Sequence, residues 1–107
     1  MASIPEIVNG AVPSVEHFGA LTTHADHRGS VTEIYRRAWP GAPALVQWNW
    51  VRNQPNSMRG MHVHWERSDF IVVIEGEMLL GLRDIRPGGS GSVGVVRLRG
   101  ERLSWAY

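Results

Sequence analysis

From Asp69 to Leu98 the chain alternates short apolar runs with glycine, and this punctuation limits the fold more than any other feature. Asp69 to Glu75 brackets a continuous apolar run, Gly76 supplies a turn, and Met78 to Ile85 follows as a second run. Pro87 to Gly94 then holds four glycines, two serines and a proline, which reads as a loop between strands. Val95 to Leu98 continues as the next strand. Runs this short, bounded by turn residues, fit strands, and no segment of a dozen residues carries a helical period.

The remainder extends the same reading. Ser30 to Arg37 is rich in β-branched and aromatic residues and follows Gly29. Ala44 to Arg52 alternates strictly: Leu45, Gln47, Asn49 and Val51 share one face, while Val46, Trp48, Trp50 and Arg52 share the other. Leu103 to Tyr107 is a further candidate strand. Met1 to Ser14 has two prolines and no clear period, so residues 1 to about 17 are expected to form an arm or edge segment. At 107 residues, one domain is expected, an all-β sandwich or barrel.

Charge and composition exclude several classes. The formal net charge is +1 and the arginines are scattered, so no basic patch suggests a nucleic-acid or membrane surface. There is no cysteine, hence no disulfide framework and no thiolate chemistry. No apolar run approaches a membrane span, and the N-terminus lacks the basic-then-apolar order of a signal. A cytoplasmic protein is the expectation. The chain ends on Trp105-Ala-Tyr107, an apolar terminus that either docks or marks a barrel lacking its C-terminal portion.

Chemistry concentrates in Ser57-Met-Arg-Gly-Met-His-Val-His64. His62 is either a hydrogen-bonded structural histidine or a general base, since imidazole titrates close to neutrality. Arg59 favours the second reading, because a guanidinium grips phosphate or carboxylate through a planar fork. His62, His64 and Asp69 also form a candidate ligand set for a divalent transition metal such as Zn, Fe, Mn or Ni. Gln47 and Asn49 are polar residues on one strand face, and buried amides need partners or a ligand. Whether that face or the tryptophan face of Trp48 and Trp50 turns inward is left open by the pattern.

Taken together, these residues resemble the dTDP-4-dehydrorhamnose 3,5-epimerase family of cupin-fold enzymes. The likeness runs from about Phe18 to about Leu103. It begins with Asp26-His-Arg-Gly29 and Glu33, matching D-x-R-G-x-x-x-E, and continues with Val46-Gln-Trp-Asn49, matching V-Q-x-N. Met58-Arg-Gly-Met-His62 matches L-R-G-L-H, Gly76 is followed eight residues later by Asp84-Ile-Arg86, and Ser90 to Gly94 stands where the family has S-P-T-F-G. Each motif alone is weak, but their order and spacing are specific.

The resemblance implies an antiparallel jelly-roll barrel and a homodimer formed by strand exchange or edge pairing. It implies a 4-keto-6-deoxy nucleotide sugar as substrate and no cofactor. By position, His62 is the catalytic base, and Arg28, Glu33, Gln47, Asn49 and Arg59 contact the nucleotide or sugar. Asp69, seven residues before Gly76, stands where the family places a lysine that holds the enolate oxygen. The loop between His62 and Gly76 is about three residues shorter than the family pattern, and it fits the first metal motif of general cupins with aspartate in place of glutamate. The family's tyrosine and its histidine-orienting carboxylate are expected beyond Tyr107. Three functions therefore remain in play: an epimerase, a metal-binding cupin, and a non-catalytic sugar-nucleotide-binding remnant.

Overall fold

The computed structural model describes residues 6–12, 19–65, 68–100 and 104–106. Their secondary structure is antiparallel β: β1 (Glu6–Gly10), β2 (Gly19–Ala20), β3 (Thr23–Asp26), β4 (Gly29–Thr32), β5 (Ile71–Val72), β6 (Glu77–Arg83), β7 (Val93–Arg99) and β8 (Ser104–Ala106). Three sheets result, ordered β1-β7-β6, β2-β8-β5 and β3-β4. The sheets do not join into a closed barrel among the described residues. No helix there is long and apolar enough to cross a membrane.

The glycine-punctuated half folds as its pattern dictates. β6 and β7 pair in unbroken antiparallel register from Glu77↔Arg99 to Arg83↔Val93. With a period of two, Met78, Leu80 and Leu82 fall on one side of β6, opposite Leu98, Val96 and Gly94. This face is the covered one: Val96 is fully buried and Leu98 is 2 % exposed. Val73, just past β5, joins Leu98 in the core, with Ile71, Met78 and Leu80 packed around them. The core thus sits between the β6-β7 pair and the β5 segment.

The two segments close together at Gly100, whose amide donates to the Gly76 carbonyl at 2.7 Å. A side chain at position 100 would place its Cβ 2.5 Å from the Glu75 backbone, so only glycine permits this approach.

On the opposite face, charge bridges the sheet. The Glu6 carboxylate on β1 accepts hydrogen bonds from Arg97 at 3.3 Å and from Arg99 Nε at 3.0 Å, and Arg99 also reaches Glu77 on β6 at 3.2 Å. β1 is an edge strand of its sheet, pinned by its first described residue. Residues 1–5 and 13–17 of the expected N-terminal arm lie outside the described residues.

The loop between β6 and β7 is organised by one carboxylate. The Asp84 side chain is 2 % exposed. It accepts from the Arg86 backbone amide at 3.0 Å, from Arg86 Nε at 2.9 Å and Nη2 at 2.8 Å, and from the Ser90 amide at 3.3 Å. Gly89 passes so close that a Cβ there would meet both carboxylate oxygens at 2.8 Å.

Hydrogen bonding to the Arg86 side chain, then to its amide, holds the Asp84 carboxyl far below its ordinary range. Glu6 is lowered chiefly by its hydrogen bond with Arg99, and Asp26 by that with Arg28. Groups with depressed native pKa bind fewer protons folded than unfolded. Their stabilisation is complete above the ordinary values of 4.5 and 3.8 and is lost as pH falls below them. Melting temperature should accordingly drop between pH 5 and pH 2.5, and Asp84→Asn should flatten that drop; both are read from thermal melts followed by circular dichroism.

Two expected strands are shorter or absent. Of the 30–37 region only residues 30–32 are paired, within β4, because the chain turns over Arg36 to Ala42: Trp39 N bonds Arg36 O at 3.1 Å and Ala42 N bonds Trp39 O at 2.9 Å. Tyr35 anchors this turn by donating its hydroxyl to the Pro43 carbonyl, and its ring meets Trp39 and Phe70 edge-on. Ala44 to Arg52 forms no ladder among the described residues. The question of its inward face is answered by neither choice: Trp48 is 80 % exposed and Trp50 74 %, and Gln47 and Asn49 are exposed as well. Alternation buries a face only where a second layer covers it, and no described strand lies alongside this segment.

Candidate functional site

The β3-β4 hairpin and the residue just past it carry the first two candidates. Its register runs from Thr23↔Thr32 to Asp26↔Gly29, so the turn is Asp26-His27-Arg28-Gly29. Asp26 closes this turn on Arg28, taking the Arg28 amide at 2.8 Å and Nη2 at 2.7 Å. That pairing lowers the Asp26 pKa and raises that of Arg28. The Arg28 fork is thus already on a carboxylate, although the side chain is 79 % exposed. Just beyond β4, Glu33 lies 3.8 Å from Arg36.

The segment from Ala44 to Trp65 holds the remaining four. Gln47 Nε2 donates to Asn49 Oδ1 at 3.2 Å, as side chains two apart on an extended chain can. Arg59 donates to Asn53 Oδ1 at 2.5 Å and to the Arg52 carbonyl at 3.3 Å, which folds the segment back on itself before Gly60. His62 is exposed and makes no hydrogen bond or ion pair among the described residues. Among the six candidates, Gln47–Asn49 is the one direct hydrogen bond; Arg28, Glu33 and Arg59 are each engaged with close sequence neighbours.

The candidate metal set separates in the same way. Asp69 Oδ2 lies 3.4 Å from His64 Nε2, while His62 stands apart from the pair. Among the described residues, no three histidine or carboxylate side chains are gathered to hold a metal ion. Asp69 therefore directs its charge at an imidazole.

In the sequence Asp84 figures only as part of a motif, whereas in the fold it organises a loop. The signal was available in Asp26-His-Arg28 and Asp84-Ile-Arg86, which share the spacing D-x-R. Both fold into the same fork, with the aspartate taking the amide, Nε and Nη2 of the arginine two residues on. They differ in cover: the Asp26 side chain is 48 % exposed against 2 % for Asp84. One fork ends an open hairpin and the other fills a closed loop.

Comparison with known protein families, curated proteins and solved structures finds no match to this chain.

Proposed function

We propose that the chain is a cytoplasmic nucleotide-sugar epimerase-like protein of the cupin jelly-roll class, in which His62 removes a proton next to a 4-keto group. The observation that carries this reading is the ordered series from Asp26-His-Arg-Gly29 to Ser90-Gly-Ser-Val-Gly94, with its internal spacings kept. The accessibility of His62 supports it, because an exposed imidazole with no hydrogen bond or ion pair among the described residues can meet a substrate proton. The amide pair Gln47–Asn49 and the guanidinium of Arg59 lie on the same segment and offer donors for sugar hydroxyls and phosphate oxygens.

The deciding experiment is deuterium washing. A dTDP-linked 4-keto-6-deoxy sugar is incubated with the protein in D2O and read by mass and NMR. Incorporation at the carbons beside the keto group is expected. Nucleotide binding without incorporation would assign the chain to the sugar-nucleotide-binding reading, and absence of both would remove the family from consideration.

Assembly belongs to the same proposal. Val46, Trp48, Trp50, Met58, Met61 and Trp65 are each more than 70 % exposed, and large apolar side chains so exposed within one segment favour a partner surface. A homodimer joined by strand exchange or edge pairing would cover such side chains and pair open strand edges. Solution scattering should return the mass of two chains, and a monodisperse monomer would contradict the dimer.

A further inference from the structure

We propose that the open edge of β6 is a self-pairing surface, on which the β6 of a second copy lies antiparallel about a two-fold axis at Leu80. This rests on the homodimer reading above and deepens it by naming the edge that pairs. Among the described residues β6 ends its sheet, with β7 on one side only. The Gly76 carbonyl accepts from the Gly100 amide and the Asp84 amide donates to the Ser92 carbonyl, both in line with the β6-β7 register. Even-numbered residues of β6 therefore direct their backbone groups at β7. The N–H and C=O groups of Glu77, Leu79, Gly81 and Arg83 alternate with these and face the open edge.

The strand is its own complement. Pairing about Leu80 sets Glu77 against the partner's Arg83 and Leu79 against the partner's Gly81, and those odd-numbered pairs exchange the outward backbone hydrogen bonds. Glu77 stays half-exposed beside Arg99, while Arg83 is exposed with no hydrogen bond or ion pair among the described residues. Opposite charges facing across a strand pair attract. Leu79 is 56 % exposed, and nothing lies within 4 Å of where a Gly81 side chain would begin, so the leucine has room over the glycine. On the core side Met78 meets the partner's Leu82 and Leu80 meets its own copy; all three are only half-buried in a single chain. Centring at Leu80 is also the one register that aligns the full length of β6. The other end of the sheet is less suited, because β1 carries a register irregularity between Ile7 and Asn9, and such bulges blunt an edge.

The test follows the whole chain by sedimentation equilibrium over a range of concentrations. Gly81→Pro removes an N–H that faces the open edge and none that faces β7, so it should weaken the dimer at least about tenfold while circular dichroism keeps its β signal. Arg83→Glu, on the exposed face, should weaken it about tenfold by setting like charges opposite one another. The chain has no cysteine, so Leu80→Cys adds a single thiol; with paired α-carbons about 4.5 Å apart, it should oxidise to a covalent dimer. Should Gly81→Pro fail to fold, Arg83→Glu and the cross-link decide. A dimer unweakened by Arg83→Glu, with no cross-link through Leu80→Cys, would overturn this edge and leave the homodimer to another surface. A wild-type chain that stays monomeric would overturn both, and deuterium washing would still decide the chemistry.

Discussion

Replacing His62 by alanine should lower deuterium incorporation into a 4-keto nucleotide sugar by about 10²- to 10⁴-fold, the usual worth of a positioned general base. Folding should be untouched. His62 is exposed, contributes no hydrogen bond among the described residues and packs in no core, so its removal leaves neither a cavity nor an orphaned polar partner. Binding of the dTDP moiety should also persist, because none of the candidate nucleotide contacts depends on the imidazole. Activity would thus fall with affinity and melting temperature unchanged, a combination that a structural histidine cannot give. Equal exchange by the variant and the wild type would take His62 out of the mechanism.

Leu98→Ala should have the largest effect on stability, a loss of about 3 kcal/mol in urea unfolding and roughly 15 °C in Tm. Leu98 is 2 % exposed and occupies the middle of the small core, opposite Met78 and against Val73, Ile71 and Leu80. Truncation removes the side chain joining the β6-β7 pair to the β5 segment, and backbone pairing on both sides prevents the space from collapsing. Leu98→Met, which conserves volume, should cost less than about 1.5 kcal/mol. A Leu98→Ala protein as stable as the wild type would mean that the core lies elsewhere.

Much of the second half was legible because local and tertiary signals agree there. Gly76 ends one apolar run, β6 and β7 each carry a period of two, and their inward faces match residue for residue. The central segment was misread for the converse reason. Ala44 to Arg52 has the alternation of a strand, yet alternation states only which residues share a side; a covering layer must come from elsewhere in the fold. The closed barrel expected from the family resemblance is likewise not formed by the described residues, which group into three separate sheets.

The candidate residues were legible as types rather than as partners. Arg28 and Arg59 are expected on the nucleotide or sugar, and in the fold each is held by a side chain within six residues of it. Sequence spacing says that a guanidinium is near a carboxylate or amide, but only geometry says which group takes the fork. The His64–Asp69 contact escaped for a related reason. Both residues were noticed as possible metal ligands, and their mutual pairing leaves His62 by itself.

The seam between β1 and β7 sets an order of events at birth. Glu6 and its partner Arg97 are separated by 91 residues of chain, whereas β6 and β7 are joined by a single short loop. Loop closure disfavours the distant pairing more than the near one, so the β6-β7 hairpin is expected to form before β1 joins it. On the ribosome, β1 emerges long before β7 exists to receive it. Until then β1 waits with the hydrogen-bonding edge that β7 later takes still open.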